Sequence, residues 1–120
     1  GFGGYGHQVR DIIHIEDVCK IILLQIKKLK KINNDTFNIG GGPNNSISLK
    51  NLTSKCEKLT KNKIKIKKVS RTSIFDIPYF VTDNSKIQKT YKWKPSKNID
   101  VILKDIYNWL TENKNIRNYF

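Results

Sequence analysis

Cysteine is scarce in this chain: only Cys19 and Cys56 occur, without Cys-x-x-Cys spacing, which leaves no basis for a disulfide framework or a cysteine zinc site. Each sits inside a helical apolar pattern, so both are expected to be buried small hydrophobes. Histidine is as sparse. His7 and His14 are seven residues apart in an extended stretch, which puts them on opposite faces, and no metal site is predicted. Long apolar runs are missing too. The longest, residues 18–29, is broken by Lys20, Gln25, Lys27 and Lys28 and falls short of the ~20 apolar residues that a membrane span needs. The N-terminal residues lack the charged and apolar regions of a signal peptide, so a soluble, cytoplasmic protein without a membrane partner is the expectation.

Acidic residues are few: 10 against 23 Lys and Arg, for a net charge of +13. Such a balance raises the alternative of a stand-alone basic module for RNA or another polyanion. A nucleic-acid binder would interleave its basic residues with aromatics that stack on bases, and the lysine-rich runs at 27–31 and 61–68 contain none. The chain is also rich in Ile and Asn, residues that AT-rich codons favour together with Lys. Solvated faces explain the charge better, and no specific nucleic-acid partner is predicted.

What is present is a core. Hydrophobic residues make up 38% of 120 residues without a low-complexity tract, enough for one compact domain or lobe. Residues 8–15 read as a strand, with Gln8, Arg10, Ile12 and His14 on one face and Val9, Asp11, Ile13 and Ile15 on the other. Glu16 and Asp17 open a helix whose apolar positions Val18, Ile21, Ile22, Ile26 and Leu29 follow the helical period, with lysines at its end. A short strand at 36–39 runs into the breakers Gly40, Gly41, Gly42, Pro43, Asn44 and Asn45. Ser48 caps a second helix ending at Asn62, and Ile64 and Ile66 alternate with lysines as a strand with one wet face. After a loop at 71–78, residues 79–82 look extended and Asp83 caps a short helix ending near Tyr91. Trp93, Lys94 and Pro95 break it. The last helix begins near Asn98 with Ile99, Ile102, Leu103, Ile106 and Leu110 inward, and residues 111–120 are expected to be a tail. Helices with short strands make an α/β lobe over residues 1–110.

Gly1, Gly3 and Gly6 satisfy G-x-G-x-x-G, the dinucleotide-binding pattern, yet the context refuses that reading. The pattern works between a strand and a helix N-terminus on which the pyrophosphate rests. Here a strand comes next, so these glycines are expected to form a turn that admits a ligand or a neighbouring segment.

Gly6-His7-Gln8-Val9-Arg10-Asp11-Ile12-Ile13-His14-Ile15-Glu16-Asp17 resembles the G-x-Q-x-R-D-x-x-H-x-x-D stretch of extended short-chain dehydrogenases/reductases, the NAD-dependent epimerases and dehydratases of nucleotide sugars. Phe37-Asn38-Ile39-Gly40-Gly41, then Asn45-Ser46-Ile47-Ser48-Leu49, residues 76–83, and Trp93-Lys94-Pro95 before the last helix agree with that family in order. The resemblance implies the C-terminal, substrate-binding lobe of such an enzyme, lacking the N-terminal Rossmann half, with apolar surface exposed where that half would pack. It also implies a nucleoside-diphosphate sugar as substrate, NAD held by the N-terminal half, a homo-oligomeric parent, and inversion of a sugar carbon by transient oxidation.

By position, the resemblance makes Arg10 the clamp on the diphosphate, a task that suits a forked, permanently charged guanidinium. The family's second phosphate-binding arginine stands three residues before an aspartate. Here Arg71 stands five before Asp76, and both are candidates, Asp76 to orient an arginine or meet the ribose. Asn44 and Asn45 offer amide groups to nucleotide or sugar, or form the turn. His14 and Asp17 are read as structural, His14 satisfying a backbone group. No tyrosine is followed four residues later by lysine, so no catalytic residue is assigned to this chain.

Overall fold

The computed structural model describes residues 4–32, 34–69, 73, 75–113 and 115. It is a mixed α/β arrangement of a three-stranded sheet and four α-helices, in the order β1 (Val9–Asp11), α1 (Ile15–Lys28), β2 (Ser46–Ser48), α2 (Leu49–Thr60), β3 (Tyr79–Phe80), α3 (Ser85–Tyr91) and α4 (Ile99–Glu112).

The sheet is ordered β2-β1-β3. β2 pairs antiparallel with β1 (Val9 opposite Ser48, Arg10 opposite Ile47) and β3 pairs parallel with it (Val9 opposite Tyr79, Arg10 opposite Phe80). Both edges of β1 are therefore taken, and the strand expected over residues 8–15 shortens to 3 residues. Its flanks stay tied: Leu49 N donates to Gln8 O at 3.1 Å and Ile12 N to Asn45 O at 2.9 Å.

Two expected strands do not form. Residues 36–39 make no ladder. Phe37 and Ile39 instead pack on the core, and the chain is pinned just beyond by the Asn84 amide, which accepts from Gly40 N at 3.1 Å and donates to Gly40 O at 2.8 Å. Residues 63–69 also form no strand pairing among the described residues, and Ile64 and Ile66 are exposed; this stretch runs past the Gly4–Gly6 turn, where a Cβ on Gly4 would come 2.5 Å from Lys68 Cγ.

The helices start where their caps stand. Ser48 Oγ accepts from Asn51 N at 3.2 Å and Asn98 Oδ1 from Val101 N at 3.0 Å, removing orphan donors at α2 and α4. α1 is capped by His14, whose Nδ1 accepts from Glu16 N at 3.1 Å, the backbone group expected for it. Asp83 Oδ1 accepts from Ser85 N at 2.8 Å at the start of α3. Lys61 and Lys92, with φ of 54° and 55°, end α2 and α3 in left-handed conformations.

Ile21, Ile87, Tyr91 and Trp93 form the core between α1 and α3, with Ile13, Leu24 and Phe37 packed around them. Phe37 meets Tyr91 edge to face at 5.4 Å between ring centroids. Burying Ile21 and Ile87 contributes roughly 2–3 kcal/mol each. Of the expected inward positions of α1 only Ile21 is buried; Ile22, Ile26 and Leu29 are exposed beside Leu23, and on α4 Ile106 and Trp109 are half exposed. The expectation of two buried cysteines is also corrected. Cys19 is exposed, lying about 200° around α1 from Ile21, and Cys56 is half-buried. Among the described residues no helix is long and apolar enough to cross a membrane.

Candidate functional site

Asp17 shows how the lobe around the site is held. Its carboxylate is fully buried, and Ser96 Oγ donates to it at 2.6 Å, Ser96 N at 2.9 Å, Lys97 N at 3.0 Å and Lys20 Nζ at 3.3 Å. Burial alone would raise its pKa; these donors outweigh burial and hold it at about 2. The start of α1 is thereby fastened to the segment before α4.

A second carboxylate, Asp11, fixes the glycine loop to β1. Its Oδ2 accepts from Gly42 N at 2.8 Å. Burial pushes this carboxyl up, while the hydrogen bonds from Gly42 and Thr82 pull it, on balance, below the ordinary range. The approach is so close that a Cβ on Gly41 would lie 2.0 Å from Ile12 O. Asn45, 5% exposed, completes this loop by donating from Nδ2 to Lys97 O at 2.8 Å.

On β1 the pleat sends Gln8, Arg10 and Ile12 to one face, as the alternation predicts. There they line a 300 Å3 pocket with Ile47, Leu52 and Asp76. Arg10 is held from two directions: Nη1 donates to Val9 O at 2.7 Å and Nη2 to Asp76 Oδ1 at 3.3 Å. The two side chains are 43% and 26% exposed, so the cation is fixed yet reachable by a ligand. Gln8 adds a feature that the sequence pattern does not single out. Its Oε1 is buried without a hydrogen-bond partner, although the residue lines the same pocket. Its sequence signals are its place on the Arg10 face and its match to the glutamine of the G-x-Q-x-R-D stretch.

Of the candidate residues, Arg10 and Asp76 thus come together across 66 positions of sequence. Asn45 lines a different pocket, beside Asn84, Ser96 and Asn98. Arg71 lies outside the described residues, as do Gly1 and Gly3 of the glycine pattern. Gly6 is described, and its φ of 70° and close approach to Lys50 N match the expected turn against a neighbouring segment. An arginine held in a fork beside an open pocket can grip a phosphate oxygen pair, and Asp76 can keep the guanidinium aimed.

The sequence profile of the NAD dependent epimerase/dehydratase family matches residues 2–40. CDP-paratose 2-epimerase of Salmonella typhi is 32% identical over 107 residues, 88% of this chain and 31% of that protein. UDP-glucuronate 4-epimerase of Thermodesulfobacterium geofontis is 32% identical over 110 residues, 92% of this chain and 32% of that protein. Among solved structures, the UDP-glucose-4-epimerase of Stenotrophomonas maltophila, with bound NAD and formylated UDP-arabinopyranose, superposes with a TM-score of 0.80 at 25% identity. It covers 95% of this chain and 35% of its own. The chain thus spans about a third of the length of the relatives it matches.

Proposed function

The chain belongs to the NAD dependent epimerase/dehydratase family, and from that premise we propose that residues 1–110 supply the nucleotide-sugar-binding part of an epimerase. Its specific substrate is proposed to be a CDP-sugar, as for a CDP-paratose 2-epimerase, and its overall reaction the inversion of one sugar carbon with NAD. Two UDP-sugar epimerases match at similar levels, so a UDP-sugar is the competing substrate.

The observation that carries the reading is the Arg10 guanidinium, fixed by Asp76 in a pocket that also holds the unpartnered Gln8 oxygen. In this proposal Arg10 grips the diphosphate and Asp76 aims Arg10 and faces the ribose. Gln8 Oε1 accepts a hydrogen bond from the nucleotide or sugar. Arg71 is the second phosphate contact, and Asn45 shapes the loop. NAD does not fit the described residues. Gly6, the described glycine of the pattern, leads into strand β1 and not into a helix N-terminus that could carry a pyrophosphate, and the 120 residues contain no Tyr-x-x-x-Lys pair. No redox step is therefore assigned to these side chains; they bind and orient.

The test is calorimetric titration with CDP and with UDP of the purified protein and its Arg10→Ala variant, at two salt concentrations. Arg10→Ala is expected to bind CDP about tenfold to a hundredfold more weakly, the cost of losing one charge-assisted pair. Undiminished binding by Arg10→Ala would sink the clamp. Stronger binding of UDP would reassign the base.

A further inference from the structure

The sheet has a second face, and it carries its own cavity. Cross-strand partners share a face, so Val9, Ser48 and Tyr79 stand together on the side of β1 away from Arg10. A 610 Å3 cavity opens there, bounded by these residues and by Ser54, Lys55 and Lys58 of α2. It continues into a 430 Å3 cavity between α2 and α4 that shares Lys55 and Lys58 and adds Asp100, Leu103 and Lys104. The two cavities meet at Lys55 and Lys58, with apolar walls of Val9, Ile99, Leu59 and Leu103 and a basic rim.

The charges on that rim do not balance. Lys55 is paired with Asp100 at 2.5 Å, which neutralises both. Among the described residues, Lys58 and Lys104 have no carboxylate within ion-pair distance, and no other acidic side chain lines either cavity. Two unpaired ammonium groups match one dianion. A phosphate monoester carries about −1.5 to −2 near neutral pH and suits lysine, which binds it as a point charge, whereas the forked Arg10 on the other face suits a diphosphate.

We propose that this groove is a second binding site, for a phosphate monoester with an apolar or planar body. Lys58 and Lys104, which both line the smaller cavity, take the phosphate, and the body reaches into the larger cavity over Val9 and Ile99. Its lysines and its Val9, Ser48 and Tyr79 wall are not part of the Arg10 pocket, Ile47 of β2 being the one residue that borders both, and the site does not depend on the substrate proposed there.

Phenyl phosphate is a suitable probe because it joins a dianionic head to a planar body. It is titrated into the purified protein, Lys58→Gln, Lys58→Glu and Arg10→Ala, with amide chemical shifts read by NMR alongside calorimetry. The expected result is saturable binding that shifts Ser54, Lys55 and Lys58, weakens about fivefold in Lys58→Gln and further in Lys58→Glu, and is unchanged in Arg10→Ala. CDP binding should show the reverse dependence. The proposal is overturned if phenyl phosphate does not bind at millimolar concentration, or if a folded Lys58→Gln binds it as tightly as the parent. It is equally overturned if Arg10→Ala abolishes binding, since the phosphate would then occupy the other face. Lys58→Gln is close in shape and the site is on the surface of α2, so its fold is expected to survive even if the charge reversal disturbs the helix.

Discussion

Arg10 and Asp76 meet through a single contact, Nη2 to Oδ1 at 3.3 Å, between a residue of the central strand and one in the turn that precedes β3. That turn is closed by Asp76 N donating to Ser73 O at 3.1 Å, and β3 then pairs with β1 beside Arg10. The carboxylate therefore reaches the guanidinium because parallel pairing brings the end of the loop to the central strand.

This pair is partly exposed, so its worth to stability is small, within about 0.5 kcal/mol. Its expected role is aim. Asp76→Asn keeps an oxygen for Arg10 and is expected to hold CDP within about threefold of the parent, whereas Asp76→Ala releases the guanidinium and is expected to lose about tenfold. Calorimetry with a thermal melt separates the two effects; an Asp76→Ala variant that binds CDP as well as the parent would remove Asp76 from the site.

Asp17 predicts how stability depends on acid. Its pKa is lowered from 3.8 to about 2 in the folded chain, so its contribution is fully present above pH 4 and is lost as the pH falls from about 4 towards 2. The shift corresponds to about 2 kcal/mol. Urea denaturation at pH 6, 4, 3 and 2 should show that loss. In Asp17→Asn the neutral amide cannot match all four donors, so it should be less stable by roughly 2–3 kcal/mol at pH 6 and should lack the Asp17 part of the acid dependence. Equal slopes in the two proteins would mean that other carboxylates set the acid limit.

Gly41 tests the loop that Asp11 secures. A Cβ there would sit 2.0 Å from Ile12 O and 2.8 Å from Asn45 Cβ, a clash with backbone that no rotamer relieves. Gly41→Ala is expected to cost roughly 2 kcal/mol or more, while Asn44→Ala, exposed in the same loop, should stay within about 0.5 kcal/mol. Thermal melts of both variants make the comparison, and equal melting temperatures would show that the loop can move aside.

Helices are more legible than strands, for a physical reason. Ser48 and Asn98 announce their helices because the cap is local, a side chain bonding a backbone group three residues on. A strand needs a partner that the local pattern does not name. Ile64 and Ile66 alternate with lysines as a half-wet strand should, yet among the described residues no strand pairs with them, while Ser46–Ser48, a loop end and a cap by its residue types, forms β2 because β1 lies beside it. The site divides the same way. The β1 alternation places Gln8 and Arg10 on one face, but the contact with Asp76 depends on where β3 docks, and the burial of the Gln8 oxygen depends on the tertiary fold that forms the pocket. The apolar stripe of α1 has the helical period, but only Ile21 of it is buried, because α3 covers just one side of the helix.

His14 is a cap that its residue type does not advertise. Its Nδ1 accepts from Glu16 N at 3.1 Å, which assigns the ring proton to Nε2, 3.4 Å from Asp105 Oδ2 on α4. The ring thus satisfies the first turn of α1 and reaches across to α4 at the same time. His14→Ala removes both contacts and is expected to cost about 1 kcal/mol, within the range for loss of a cap. Asn is a good cap but too short to reach Asp105, so His14→Asn should recover most of that loss. Asp105→Asn in the parent should cost less than His14→Ala, because it leaves the cap in place. Chemical denaturation followed by helical circular dichroism ranks the three. If His14→Asn proves as unstable as His14→Ala, the cap contributes little, and the contact with α4 is what His14 supplies.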